Sequence, residues 1–466
     1  MKNTRFFLMS ILTGLLFVAC SNDDDQAVMP GVSISITQDI IGEGDGVVTV
    51  SFSTTETFSS DAILTYEVSG TATSGEDFTA LPGSLTLAAG ERTATQDLIV
   101  SDDDAVEQNE EITITLTAVD GGTDFISATN SITLTITDND SFAFENGILV
   151  LHEGNFFGGN ASVSFVAEDL TSVTNGIFND VNDEALGDVA QSMAFDGDLA
   201  YIIVNNSQKV EVVNRYTFES VGTVDAGLLN PRYMAFANGK GYVTNWGDGG
   251  NSDDDYIAVI DLDNLTVEAT IPVEEGPERI LANENTLYVA HQGGFSQNNI
   301  VSAIDATDNS VASITVGDVP NSLQLDPNGS LWVLCGGNPS FTGNETAGSL
   351  VAIDTADNMI ANTFDFGVTE HPSYLSIQDQ TLYYYLAGEV YQFNVNDVGL
   401  PSTPVITGLS FYDMTVNNNA LYGVDAKDFS SNGSLEVYDL SDNSLTESVE
   451  VSIIPGGVYF NGNFEF

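Results

Sequence analysis

Apolar and polar residues alternate along this chain with a period of two and almost no interruption. Val32-Ser-Ile-Ser-Ile36, Val47-Val-Thr-Val-Ser-Phe52, Ile112-Thr-Ile-Thr-Leu116 and Ile132-Thr-Leu-Thr-Ile136 put aliphatic side chains on one face and small polar ones on the other, as half-buried strands do. No stretch keeps a 3.6-residue period for three turns, and Asn-Gly, Asp-Gly and single glycines stand where hairpins would turn. The pattern predicts an all-β protein. Residues 30–140 hold about seven such strands, enough for one β-sandwich.

From residue 141 to 466 a longer repeat takes over. Leu199-Ala-Tyr201, Lys240-Gly-Tyr242, Thr286-Leu-Tyr288, Ser330-Leu-Trp332, Thr381-Leu-Tyr383 and Ala420-Leu-Tyr422 recur at roughly 40–50-residue intervals, the propeller range. Each is followed by a loop, by a strand such as Ile257-Ala-Val-Ile-Asp261 or Val301-Ser-Ala-Ile-Asp305, and by a further strand. A return led by proline follows, as at Pro231, Pro277, Pro320 and Pro372. Four strands per repeat describe a propeller blade. With an atypical first unit from Ile148, the repeat predicts a seven-bladed β-propeller. Closing the ring needs one innermost strand from the opposite terminus, and two segments compete for it: Phe142-Ala-Phe144 and Val458-Tyr-Phe460.

The N-terminus adds an address. Lys2 and Arg5 precede an apolar run from Phe6 to Val18 that ends in Ala19-Cys20, so residues 1–19 read as a secretory signal. The run is shorter than the ~20 residues a membrane span needs. Residues 20–29, opening with Ser21-Asn-Asp-Asp-Asp25, form an acidic tether. Phe-Val-Ala-Cys resembles the lipobox of bacterial lipoproteins, and the acids after it resemble the export tag of Bacteroidetes surface lipoproteins. The resemblance implies lipidation at Cys20 and an outer-membrane anchor facing the cell exterior; a plain cleaved signal is the alternative. Cys335 would then be the remaining thiol, leaving no partner for a disulfide within the chain.

Charge narrows the partners. Nine Lys and Arg stand against 68 Asp and Glu, a formal charge of −59. That balance excludes nucleic acid as a partner, because phosphate binding needs clustered cations.

The acids of the first domain carry a resemblance. Gly70-Thr-Ala-Thr-Ser-Gly75-Glu-Asp77-Phe78, Asp102-Asp-Asp104-Ala-Val-Glu107-Gln-Asn-Glu110-Glu111 and Ile136-Thr-Asp138-Asn-Asp140 resemble, in order, the motifs of the Calx-beta domain. The resemblance implies calcium at one end of the sandwich, with Glu43, Asp77, Asp103, Asp104, Glu107, Glu110, Asp138 and Asp140 as ligands. Asn139 stands where the family's strongest calcium binders have a third acid. Independently, calcium takes six to eight oxygens, which strand-end loops can converge from distant sequence. A solvated acidic edge is the other reading.

The propeller region resembles YVTN-type surface propellers, and more narrowly a Bacteroidetes lipoprotein family that includes surface cobalamin-binding propellers. Leu151-His-Glu-Gly-Asn155-Phe, Leu186-Gly-Asp-Val-Ala-Gln191-Ser-Met193, Ile203-Val-Asn205-Asn206-Ser and Asn230-Pro-Arg-Tyr233-Met carry it. It implies a small-molecule ligand, cobalamin or another corrinoid first, passed to a TonB-dependent outer-membrane receptor by a protein that is monomeric outside that complex.

Catalysis finds little support, and no redox cofactor is expected. His152, His291 and His371 belong to no metal-protease or hydrolase motif and are expected at the rim. Cys335 ends an apolar strand and should pack. Asp261, Asp305, Asp354 and Asp439 recur at one place in each blade, where Asp caps a turn. Gly247–Asp255 is an acidic insertion unique to its blade that could bind an ion. The better candidate surface is the end of the channel where the loop after each Leu-Tyr strand meets the start of each Pro-led strand. Asn155, Phe156, Asn205, Asn245, Trp246 and Gln292 from the loops, with Gln191, Arg232, Asn321, Tyr374 and Asp413 from the strands, are the expected ligand-binding residues. Aromatics with sparse convergent polar groups describe a recognition surface. Turn formation alone is the competing explanation for the exposed asparagines. An adhesive or structural role through protein–protein contact is the alternative function.

Overall fold

The computed structural model describes residues 31–462 except residue 121. The predicted signal peptide, Cys20 and the acidic tether lie outside the described residues. The chain divides into two compact units, Met1–Ser141 and Phe142–Phe466. Among the described residues, no helix is long and apolar enough to cross a membrane.

The first unit is a two-sheet sandwich. One sheet orders Val32–Ile36, Val47–Thr54 and Thr93–Ile99; the other orders Ile40–Gly42, Ser131–Thr137, Glu110–Val119, Ala62–Gly70 and Ser84–Leu87. Inward aliphatics such as Val48, Val50, Phe52, Ile112, Ile114 and Leu116 are at most 1% exposed and fill the core. Outward hydroxyls pair across strands, Thr113 with Thr133 at 3.1 Å and Thr115 with Ser131 at 3.0 Å. Eight strands replace the expected seven or so. The extra one, Ile40–Gly42, is three residues long and pairs in parallel with Ser131–Thr137. So short a strand carries too little alternation to show in a sequence.

The second unit is a ring of seven four-stranded sheets. Blade 1 combines Gly147–His152, Ser162–Ala167 and Val173–Asn175 with Pro455–Asn461. Blades 2 to 7 begin with innermost strands Ala190–Asp196, Pro231–Ala237, Pro277–Asn283, Pro320–Leu325, Ser373–Gln378 and Asp413–Asn417. The C-terminal segment therefore closes the ring: Val458 pairs with Val150 and Phe460 with Ile148. Phe144 instead packs edge-on against Phe165 and Phe218 beside the first blades.

Second strands are buried on both faces, which is why they read as continuous apolar runs; Leu199–Val204 and Thr286–His291 each expose only their first residue. The repeated aromatic of each Leu-Tyr strand ties neighbouring blades. Tyr242 donates to the Ala306 carbonyl at 3.3 Å and Tyr288 to Asn358 Oδ1 at 2.8 Å. Buried Tyr hydroxyls need such partners.

Candidate functional site

Two places gather polar side chains: the end of the sandwich and the mouth of the propeller channel. At the sandwich, the parallel pairing of Ile40–Gly42 with Ser131–Thr137 is decisive. It ends with the Glu43 N–H on the Thr137 carbonyl at 3.0 Å, so Glu43 emerges beside Asp138 and Asp140. A second group gathers Asp77, Glu107 and Glu110. Within each group the ligand oxygens lie within 4.8 Å of one another. Asp138 links the groups by accepting the N–H of Glu107 at 2.7 Å and that of Asp140 at 2.8 Å.

Three oxygens in these groups, Glu43 Oε2, Glu110 Oε2 and Asp140 Oδ2, are buried with no protein partner. Burial, reinforced by Asp138, Asp103 and Glu107, lifts the Glu43 carboxyl to about 7. Burial, a hydrogen bond to Asp77 and repulsion from Asp77 and Glu107 lift Glu110 to about 7 as well. At such separations each carboxylate pair repels by roughly 1–3 kcal/mol between the water and protein-surface limits. An all-oxygen set with orphaned oxygens fits a hard divalent cation. Six of the eight expected ligands thus converge. Asp103 caps the Ala105 N–H at 2.8 Å and Asp104 is exposed; neither joins a group. Asn139 donates to Asp102 at 3.0 Å and to the Glu43 carbonyl at 3.3 Å, bracing the loops.

The propeller mouth is built by a repeated irregularity. Six of the seven innermost strands slip register just after they start, each giving one or two residues no ladder partner. Such a bulge re-aims side chains. The displaced residues are Gln191, Arg232 with Tyr233, Glu278 with Arg279, Asn321, Tyr374 with Leu375, and Gly456. Several of these strands are entered through a left-handed residue: Val189 (φ 59°), Asn230 (φ 52°), Gly276 (φ 70°), Val319 (φ 55°) and Ile454 (φ 50°), with Tyr374 (φ 56°) in blade 6. Gln191, Tyr233, Glu278, Arg279, Asn321, Tyr374 and Gly456 line a cavity of about 370 Å³ together with Glu153, Gln292, Tyr412 and Asp413. A smaller chamber of about 130 Å³, lined also by Tyr459 and Gln324, shares Arg279, Tyr374 and Asp413 with it.

Charges in the channel are arranged in pairs. Arg232 grips Glu278 with two bonds of 2.9 Å and lies over the Trp246 ring at 4.0 Å. Arg279 rests on the Tyr233 ring at 4.3 Å and stands 3.8 Å from Asp413. Glu153 accepts the Tyr412 hydroxyl at 3.0 Å. Burial raises Glu153 and Asp413 above the usual carboxylate range, opposed by the Tyr412 hydrogen bond for Glu153 and by Arg279 for Asp413. Burial also raises the phenols of Tyr233, Tyr374, Tyr412 and Tyr459.

Of the eleven expected ligand residues, Gln191, Gln292, Asn321, Tyr374 and Asp413 line the cavity. Arg232 and Trp246 stand behind it, stacked on each other. Asn155 and Phe156 are exposed on the blade 1 loop. Asn205 and Asn245 do not face a ligand. Both are buried, and their amides bond backbone: Asn205 to the Pro231 carbonyl at 3.1 Å, Asn245 to the Val243 carbonyl at 2.9 Å and the Leu229 N–H at 3.0 Å. The expected rim position fails for two histidines. His152 and His291 are fully buried and bond Ser164 and Ser302 at 2.8 and 2.9 Å, and burial drives them down to about 3 and 4. Cys335 is buried, its thiol pushed up to about 12. Asp261, Asp305, Asp354 and Asp439 each cap the N–H two residues on. The insertion folds on itself, with the Asp248 N–H on Asp254 at 3.2 Å, and its acids form no ligand group. Glu153, Tyr233, Arg279 and Tyr412 line the cavity too; Tyr233 and Arg279 are each the second residue after a strand-leading proline, a repeat visible in the sequence, whereas Glu153 and Tyr412 follow no such proline.

Residues 23–140 match the family model of the Calx-beta domain. No curated protein matches the chain. Among solved structures it is similar to the computationally designed Ika8 protein at 9% identity, covering 68% of this chain and 97% of that one with a TM-score of 0.45. It is similar to the dihydro-heme d1 dehydrogenase NirN in complex with DHE at 13% identity, 70% and 77% coverage and a TM-score of 0.44. Apo AztD from Citrobacter koseri matches at 10% identity, 67% and 96% coverage and a TM-score of 0.42. Over residues 146–456, two thirds of its length and every blade apart from most of the closing strand Pro455–Asn461, the chain belongs to the family described as a domain of unknown function, DUF5074.

Proposed function

We propose that this protein is a lipid-anchored surface binding protein. The propeller captures a small ligand at the channel mouth and delivers it to an outer-membrane transporter, and the Calx-beta domain is a calcium-stiffened spacer. One observation carries the reading: five bulged strands turn polar side chains into a single cavity, and the sixth bulge sets Gly456 in its wall. Loops at the same end of the blades carry Phe156, Phe157, Phe295, Phe341 and Phe429, each between 49% and 84% exposed. At about 370 Å³ the cavity admits part of a corrinoid, so the corrin ring would lie across these phenylalanines with a side group in the channel. Enzymatic chemistry has less support, because His152 and His291 are committed to buried hydroxyl partners.

Calorimetry of the full chain with cyanocobalamin tests the specific candidate. Binding that the double variant Phe156→Ala/Phe157→Ala weakens at least tenfold supports it; no heat at micromolar concentrations eliminates corrinoids. Docking of a partner protein is the second reading, favoured by the apolar surface that the same phenylalanines expose on loops at one end of the blades.

A further inference from the structure

Two charged groups in the channel are less satisfied than their surroundings require. Buried charges are normally paired and fully hydrogen-bonded. Arg232 and Glu278 obey this rule, each meeting the other twice at 2.9 Å. Arg279 does not: the Asp413 oxygen facing it stands at 3.8 Å, a loose ion pair beyond ordinary hydrogen-bonding distance, and the guanidinium lies over the Tyr233 ring at 4.3 Å with about a third of its side chain exposed. Glu153 is the complementary case. Its carboxylate has the Tyr412 hydroxyl as partner, and among the described residues no Lys or Arg comes within ion-pair distance. Burial raises its carboxyl against the Tyr412 hydrogen bond and the more distant charge of Arg232, which is itself committed to Glu278. The backbone fixes it there, with the Glu153 N–H on the Ile454 carbonyl at 3.0 Å. The bulged Gly456 leaves room beside it, since a Cβ there would stand 3.2 Å from Glu153 Oε1.

Both groups line the same cavity of about 370 Å³, near the lower end of the ~300–1,000 Å³ of small-molecule sites. A purely anionic ligand would answer Arg279 but add charge beside Asp413 and Glu153. A purely cationic one would answer Glu153 and meet Arg279. A ligand with both charges answers both. We propose that the channel binds a small zwitterion carrying a carboxylate and an ammonium group, of the amino-acid or short-peptide class, with the carboxylate on Arg279 and the ammonium on Glu153. The guanidinium fork suits a carboxylate. The rings of Tyr233, Tyr374 and Tyr412 add cation–π attraction for the ammonium. Gln292 and Ser373 add neutral polar groups to the same lining.

This inference rests on the channel mouth being the ligand site and names the class of its occupant. The test is calorimetry of the full chain with alanine, glycylglycine and 6-aminohexanoate, which separate the two charges by increasing spans. Hexanoate and hexylamine are the single-charge controls. At least one zwitterion should bind ten times tighter than both controls. Arg279→Gln should lose that preference while retaining hexylamine, and Glu153→Gln should lose it while retaining hexanoate; a misfolded variant would retain neither. The proposal is overturned if no zwitterion binds, or if a control binds as tightly as the best zwitterion, both readable on the wild type alone. Zwitterions that give no heat while cyanocobalamin binds would sink this inference and leave the ligand-binding reading intact.

Discussion

The carboxylates of the sandwich predict that calcium cancels the effect of pH on this domain. Glu43 and Glu110 have an ordinary value of 4.5 and are lifted to about 7 in the fold. Between those values the folded state binds more protons than the unfolded one, so stability is fully present below about pH 4.5 and drains away as pH rises through 7. The gap corresponds to about 3 kcal/mol for each carboxyl before screening. Solvent contact of these side chains reduces this to on the order of 1–2 kcal/mol each. Even the reduced pair matters against a total of ~5–15 kcal/mol. Calcium takes the deprotonated oxygens; at a hundred times its dissociation constant it returns about 2.7 kcal/mol. For a domain of this size that is a rise of roughly 10 °C or more. Scanning calorimetry of the full chain should therefore show one transition that falls from pH 5 to pH 8 in chelator and holds its temperature in calcium. Trp246 and Trp332 both lie in the propeller, so a fluorescence-monitored melt reports the other unit and should ignore calcium. The double variant Glu43→Gln/Glu110→Gln should melt higher than the wild type at pH 8 in chelator and gain nothing from calcium. A transition that is flat from pH 5 to 8 in chelator, or a double variant no more stable than the wild type there, would refute the reasoning.

Glu278→Ala should destabilise the propeller by about 3–5 kcal/mol, because it strands the Arg232 guanidinium without its bidentate partner; a loss below 1 kcal/mol in denaturant titration would show the pair is idle. Val319→Gly should change stability by no more than about 1 kcal/mol, since relief of a β-branched residue at φ 55° offsets lost packing, whereas Val333→Gly in the core should cost about 3 kcal/mol or more. Equal losses at the two valines would contradict the strain. Cys20→Ala should release the protein in soluble form, and membrane fractionation that still finds it bound would exclude the lipid anchor.

Much of this architecture is legible in the sequence because its signals repeat. Period-two alternation marks Val47–Thr54 and Glu110–Val119, and the recurring Leu-Tyr text counts blades. Features made by tertiary pairing are not legible. Ile40–Gly42 exists as a strand only because Ser131–Thr137 lies beside it, yet it delivers Glu43 to its group. Asn205 and Asn245 look like ligand amides in a sequence; whether an amide faces a cavity or closes a backbone gap depends on a neighbouring strand. His152 looks like a rim residue until the C-terminal strand covers it, with Pro455 as its partner. Arg279 and Glu153 are visible as charges, but their unfilled hydrogen-bonding capacity belongs to the assembled ring.

The bulges at the channel mouth have an evolutionary consequence. A residue left out of the ladder gives its blade no backbone rung, so its side chain is free to face the channel, as Gln191 and Tyr374 do, or to reach the next blade, as the Asn321 amide does on the Pro372 carbonyl at 2.9 Å. Gln191 and Tyr374 can therefore be exchanged with little penalty to the strand ladder. Six of the seven blades offer such a position, so preference for cargo can drift one side chain at a time on a scaffold that stays closed. Sister proteins should accordingly keep the strand-leading prolines, the buried tyrosines and the Arg232–Glu278 pair while differing most at the other displaced positions.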